Sequence, residues 1–490
     1  MTVSLDRRDF FKWGGLAALA ASGGAGAVSA CARPTPPAGK ADHTLRIGTG
    51  AVELAPGHVV STLTYNGQFP GPLLRFDEGR RTTVDVFNDT ESPEQLHWHG
   101  QHVGVDVDGS AEEGTPYIPA HGMRRISFVP GPAGFRFYHT HVVPRADLSR
   151  GQYSGLVGPV YIEPSQNVGA YDQEIFLTLK EFEPSLTRGG DMAADFLAGE
   201  QQTDLKDKGE SSMAASLGRG DPRGFEVGYG AFAVNGRMLG HGDPIRVQTG
   251  QRVLLHVLNA SATETRSLAL PGHAFTVVAL DGNPVPTPAP VPVLWLGAGE
   301  RVSALVAMTN PGVWVLGDVS DDDRGHGMGV VVEYAGRGGD PQWAPPPSFT
   351  WDYRLFARPA PVPPPERTIE LLIEKRNAAD NGFNLWTFNG TPFSMDTNRP
   401  VLDLERDKRY RLRFRNASDD MHPMHLHRHT FEITRFAGAP TAGVRKDVAM
   451  LGGYQSMDVD FVADQPGLSL LHCHQQIHMD YGLMLLLNSA

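Results

Sequence analysis

Hydrophobic and polar residues alternate with period two along most of the chain, in short runs cut by Gly, Pro and Asn. That is the pattern of half-buried strands rather than helices. Three runs share one layout. Asn66-Gly67 leads to Arg80-Arg81-Thr82-Thr83-Val84-Asp85-Val86-Phe87-Asn88, and Asn235-Gly236 leads to Gln251-Arg252-Val253-Leu254-Leu255-His256-Val257-Leu258-Asn259. Asn389-Gly390 leads to Lys408-Arg409-Tyr410-Arg411-Leu412-Arg413-Phe414-Arg415-Asn416. Each module closes on a similar strand, beginning at Gly134, Gly312 and Gly467. The patterning predicts antiparallel β-sandwiches, and a repeat this long predicts tandem domains rather than a solenoid. The expected domains are 42–165, 172–335 and 366–490, separated near 165–171 and by the Pro/Gly-rich stretch Ala335 to Glu366. A polar, Gly-rich stretch at about 185–230 reads as a mobile loop.

Composition agrees with this picture and narrows the function. The chain has 490 residues, 40% hydrophobic and 20% charged, with 56 Gly and 38 Pro. That suits about three turn-rich globular domains and is too apolar for a disordered chain, while the recurring strand-like runs argue against a helical bundle. The net charge of −12 argues against a nucleic-acid partner, since nothing concentrated and basic along the chain is there to neutralise phosphates. The only cysteines, Cys31 and Cys473, exclude a disulfide framework and any mainly thiolate zinc site.

The first thirty residues read as an export signal. Asp6-Arg7-Arg8-Asp9-Phe10-Phe11-Lys12 carries a twin-arginine pair, and Gly14 to Ala30 is a small-residue apolar run too short for a permanent membrane helix. Twin-arginine signals mark the bacterial Tat route, so the expected location is the periplasm or cell envelope. Val28-Ser29-Ala30-Cys31 resembles a lipobox, which makes Cys31 an acylated mature N-terminus followed by a tether over 31–41; plain cleavage after Ala30 is the alternative. A lipid anchor at Cys31 is the only membrane contact expected.

The repeat also sets the histidines in register. Nine and eleven residues past Asn88 stand His97 and His99, and the same offsets from Asn416 give His425 and His427. Five residues past the closing glycines begin His139-Thr140-His141 and His472-Cys473-His474. The second module has Leu268, Leu270 and Gly317-Asp318-Val319 there, with no imidazole. Chance placement of 19 His would give roughly 0.7 His-x-His pairs against the five present. Residues i and i+2 of a strand share a face, so each pair offers two imidazoles side by side to a late transition metal. Cys473 then faces away from its neighbours, toward a second site completed by His422 and His478. His2Cys is the ligand set of a blue-copper electron-transfer centre.

The runs His97-Trp98-His99-Gly100, His139-Thr140-His141, His422-Pro423-Met424-His425-Leu426-His427 and His472-Cys473-His474-Gln475-Gln476-Ile477-His478 resemble the four copper motifs of multicopper oxidases. The resemblance covers nearly all of the chain after the signal. It implies an all-β fold of three tandem cupredoxin-like Greek-key domains and four copper ions, one type 1, one type 2 and two type 3. By carry-over, His422, Cys473 and His478 hold the type 1 copper, and His97 and His425 the type 2. His99, His139, His141, His427, His472 and His474 hold the type 3 pair. The implied reaction takes electrons singly at type 1, passes them through Cys473, and reduces O2 to water at the three-copper cluster.

The resemblance also implies that Asp108 relays protons near type 2. Some bacterial members have a Glu after the last type 1 His; here that residue is Met479, and Asp480 is either its substitute or a solvated acid. Leu483 stands at the axial position as a non-ligand, with Met484 one register away. The expected reductant is a phenol or aromatic amine reaching an exposed edge near His422 or His478. Cu(I) is the alternative, with Met421, Met424 and Met479 as soft ligands rather than packing. A copper-sequestering envelope protein without turnover is a third reading. His256 and His273 read as structural, His102 and His429 as spare, and Arg428 as an oddity where the family often has Gly. A monomer is expected, because one chain carries both halves of the cluster.

Overall fold

The computed structural model describes residues 36–164, 170–188, 197–220 and 222–490. The twin-arginine run, the apolar run after it and Cys31 lie outside the described residues, as does most of the 165–171 break. Six sheets follow one another along the chain in three pairs. Each of the three Asn-Gly turns has left-handed backbone at both residues, with φ of 56° and 71°, 50° and 78°, and 51° and 77°. These are the conformations of tight hairpin turns.

The sandwiches are not purely antiparallel as the patterning suggested. His43–Ala55 runs parallel to Thr82–Asn88, Gln173–Thr187 to Arg252–Asn259, and Arg367–Asp380 to Arg409–Asn416. Side chains alternate with period two in either orientation, so the sequence pattern is blind to strand direction. The supposed loop at 185–230 contains an α-helix, Thr203–Gly218. Its only buried residues are Leu205 and Ser216, so no apolar stripe announces it. Leu205 docks on Ala417 and Tyr454 of the third module. The Pro/Gly-rich stretch is likewise no open linker, because Trp351, Tyr353 and Phe356 are buried in the largest core cluster.

Alternation across short strands positions the chemistry. In His97–His99, Trp98 enters the first module's core against Phe128 and Tyr138. His97 and His99 therefore face the other way. In Gly467–Cys473 the same rule separates His472 from Cys473. Among the described residues no helix is long and apolar enough to cross a membrane.

Candidate metal centre

Two antiparallel strand pairs bring the histidines together. His97 lies opposite His139, and His425 opposite His472. In the second module the corresponding pair sets Leu268 against Asp318. His97, His99, His139, His141, His425, His427, His472 and His474 are all buried in one cluster drawn from the first and third modules. Burial holds His99, His139, His425, His427, His472 and His474 well below the ordinary imidazole range, so these rings are neutral.

Their outer hydrogen bonds decide where the protons sit. His97 Nδ1–H donates to the Asp108 carbonyl at 2.8 Å and His425 Nδ1–H to the Asp447 carbonyl at 2.7 Å. A carbonyl only accepts, so each Nδ1 carries a proton and the neutral His425 ring has a bare Nε2, which faces His97 Nε2 at 3.5 Å. His139 Nδ1–H donates to the Thr140 carbonyl at 2.7 Å, and His99 Nε2–H to Asp447 Oδ1 at 3.0 Å. The remaining nitrogens, His99 Nδ1 and His139 Nε2, face at 3.4 Å. His472 donates to the Cys473 carbonyl and His427 to Asp108 Oδ2, both at 2.8 Å, leaving their Nε2 atoms 3.0 Å apart. His141 and His474 have no hydrogen-bond partner at either ring nitrogen. Lone pairs aimed at lone pairs in a dry site, with orphaned imidazoles beside them, repel unless cations lie between. The donor set therefore fits bound transition-metal ions.

The second site is as compact. Cys473 Sγ lies 3.6 Å from His422 Nδ1 and 3.5 Å from His478 Nδ1, and the two nitrogens are 3.1 Å apart. Metal bonds of roughly 2.0–2.3 Å span such a triangle from its centre. Burial pushes the Cys473 thiol well up and pulls His422 down to about 3. Leu483 packs in the same core cluster as Cys473, whereas Met484 packs with Phe393, Leu470 and Met479. Contrary to the expected exposed edge, His422 and His478 are 0% and 1% exposed. Trp386 covers them, its ring centroid 4.9 Å from His422 and 4.2 Å from His478.

Lys375 reaches over Trp386 and bridges Asp419 and Asp420, at 2.5 Å to each. Beside them, burial first and the Asp420 charge second push Glu226 up to about 8. Its ordinary value is 4.5, so between these pH values the folded chain keeps a proton that the unfolded chain has lost. Stability must fall as pH rises through that window. Glu226→Gln removes the loss. It is expected to unfold with the wild type near pH 5 and about 1–3 °C above it near pH 8.5, by calorimetry of apoprotein. An equal difference at both pH values would contradict the assignment.

Three family profiles described as multicopper oxidase match this sequence, over residues 46–167, 203–332 and 362–490. The multicopper oxidase MmcO of Mycobacterium tuberculosis is 31% identical over 98% of this chain and 97% of its own length. The chain belongs to the multicopper oxidase family. It is an oxidase with copper cofactors, using O2 and a reductant. A laccase of Pycnoporus cinnabarinus is 24% identical over 91% of this chain and 89% of its own. Among solved structures, Fet3p, described as a multicopper oxidase that functions in iron import, superposes with a TM-score of 0.72 at 19% identity. That match covers 91% of this chain and 90% of Fet3p. A multicopper oxidase from Pseudomonas thermotolerans superposes with a TM-score of 0.67 at 24% identity, covering 92% of this chain and all of that one. These structural likenesses bear on the fold.

Around the buried histidines, this multicopper oxidase carries the expected Asp108 and two acids, Glu112 and Glu113, that the sequence did not single out. Asp108 contacts His97 and His427 together, at 3.1 and 2.8 Å. Glu113, also buried, lies 3.4 Å from His427 and is pushed well up by burial and by Asp108. Asp108 Oδ1 and Glu113 Oε2 have no other donor, so a proton held by Glu113 satisfies both. Glu112 sits 3.6 Å from His141. The proximity of both acids to Asp108 in sequence was the available signal.

Asp480 is buried and not a solvated acid; burial pushes it up to about 7. It accepts hydrogen bonds from Gln476 Nε2 and the Arg145 backbone rather than from an imidazole. Arg428 has φ of 62°, the left-handed conformation that glycine takes freely. Its guanidinium binds the Val103, Pro466 and Leu468 carbonyls, a structural clamp. His256 and His273 are likewise engaged locally, with Ser303 and with the Pro271 carbonyl.

Proposed function

We propose that this enzyme is a laccase-type oxidase of phenols and aromatic amines, with Cu(I) oxidation as the weaker reading. His422, Cys473 and His478 would hold the type 1 copper, and His97 and His425 the type 2. One type 3 ion would take His141, His427 and His472, and the other His99, His139 and His474. Bound copper supplies one-electron chemistry in which four electrons and four protons convert O2 to two waters. Four phenols each give one electron and one proton, which balances that reaction.

The chain's residues do the rest. Cys473 joins the two sites through its own backbone, since His472 and His474 flank it. Asp108 and Glu113 lie beside His97 and His427, and a proton shared between the two acids would suit delivery of protons to the cluster. Trp386, itself buried, lies against both proposed type 1 imidazoles, so neither ring presents a bare edge to a donor.

The observation that carries the phenolic reading is burial of the three candidate thioethers. Met421, Met424 and Met479 are each at most 1% exposed and packed in apolar clusters. Lys375 already occupies the cation position between Asp419 and Asp420, where an arriving metal ion would meet like charge. The test is Met421→Leu, Met424→Leu and Met479→Leu, singly and combined, in volume-conserving exchanges. Phenol and Cu(I) turnover are both expected to stay within about threefold of wild type. A selective loss of Cu(I) turnover beyond about tenfold would favour the cuprous reading.

Export by the Tat route, anchoring at Cys31 and a monomeric state belong to the same proposal. They are supported by the twin-arginine run, the lipobox-like Val28 to Cys31, and the presence of both cluster halves in one chain.

A further inference from the structure

The second module holds no ligand, yet its side chains reach the cluster. His99 of the first module donates Nε2–H to Asp447 Oδ1 of the third, at 3.0 Å. Arg301 of the second module grips that carboxylate with both terminal nitrogens, at 2.7 and 2.6 Å, and Arg136 of the first adds a contact at 3.1 Å. Asp281, also of the second module, accepts the backbone N–H groups of Asp447 and Val448 at 3.2 and 3.1 Å. Its other oxygen accepts the backbone N–H of Arg301 at 2.9 Å. All four charged side chains are fully buried.

The packing leaves no slack. Gly100 follows His99 at φ 77°, and a Cβ there would fall 2.5 Å from Asp447 Oδ2 and 2.8 Å from Arg301 Nη2. A Cβ on Gly299 of the second module would fall 2.8 Å from the His474 ring. Removing one partner of such a dry, paired network leaves a buried charge uncompensated, so its geometry is held tightly.

We propose that Arg301 and Asp281 are positioning residues for the copper cluster. Acting through Asp447, they fix the proton of His99 on Nε2 and leave Nδ1 as its ligand atom, facing His139 Nε2. The other tautomer would aim an N–H into the cluster and strand the Asp447 oxygen without its imidazole donor. Module two thus sets the chemical form of a ligand supplied by module one. The inference rests on reading His99 as a cluster ligand, and its first test needs no metal.

That test is nitrogen NMR of histidine-labelled apoprotein, with the His99 signals assigned by their loss in His99→Gln. The expected result is a proton on Nε2 and a bare Nδ1. A proton on Nδ1 in the wild type overturns the proposal. Arg301→Lys and Asp447→Asn then test the coupling, with apoprotein unfolding temperature as the check on folding. In folded variants the His99 tautomers are expected to mix. Cluster copper should be retained about 10–100-fold more weakly against a chelator, while the visible thiolate–copper band of the type 1 site persists. Folded variants with wild-type tautomer and wild-type copper retention overturn the proposal. If neither variant folds, the wild-type tautomer decides alone. A wild type that binds no copper would sink the functional reading and leave the tautomer result standing.

Discussion

Cys473→Ser is expected to abolish oxidase turnover while leaving the fold and the proposed three-copper site in place. Among the described residues Cys473 is the only thiol, and it lies within reach of His422 and His478; burial keeps that thiol protonated unless a metal displaces the proton. Ser is nearly isosteric but offers no thiolate. The visible band should vanish, and O2 uptake should fall at least about 10³-fold, a loss of roughly 4 kcal/mol in barrier terms. His472 and His474 remain on their strand, so copper at the cluster should persist by metal analysis. Apoprotein unfolding should stay within about 3 °C of wild type. A residual rate within about tenfold of wild type would mean electrons bypass this residue.

Asp108→Asn has the second largest expected effect, and it falls on the other half of the reaction. The amide oxygen can still accept from His427 Nδ1, so the ring keeps its orientation. The charge that stabilises a protonated neighbour is gone, and Glu113 loses the carboxylate that accepts its proton. Reoxidation by O2 is expected to slow about 10–100-fold, with reduction of the type 1 site by a phenol unchanged. Under turnover the type 1 colour should therefore bleach, because electrons arrive faster than they leave. Stopped-flow absorbance separates the two half-reactions; equal slowing of both would place Asp108 in general packing instead.

Much of this was legible in the chain because the repeat supplies an internal control. Two modules with His at matched offsets, and a third with Leu268, Leu270 and Gly317-Asp318-Val319, define the cluster without any coordinates. Strand alternation then turned Cys473 away from His472 and His474. What stayed hidden has physical reasons. Strand direction leaves no trace in a period-two pattern, so the parallel pairs went unseen. The helix Thr203–Gly218 buries almost nothing and carries no stripe.

Asp447 belongs to the third module and Arg301 and Asp281 to the second, and they meet His99 of the first only when the chain folds. Their neighbours in sequence give no motif spacing to read. Trp386 was missed because an aromatic residue on a strand is ordinarily core. Its contact with His422 and His478 depends on how Phe383–Phe388 pairs with Arg367–Asp380, which puts Trp386 beside Lys375.

In the proposed function phenols, rather than Cu(I), feed electrons to this site. It is tested by O2 uptake of copper-loaded enzyme with 2,6-dimethoxyphenol and with Cu(I), each with and without added Cu(II), and with Cys473→Ser as the blank. Fast phenol turnover without added Cu(II) and slow turnover of Cu(I) are the expected results. Efficient Cu(I) turnover, with phenol oxidation rising only when Cu(II) is supplied, would contradict that function and make this a copper-detoxifying oxidase.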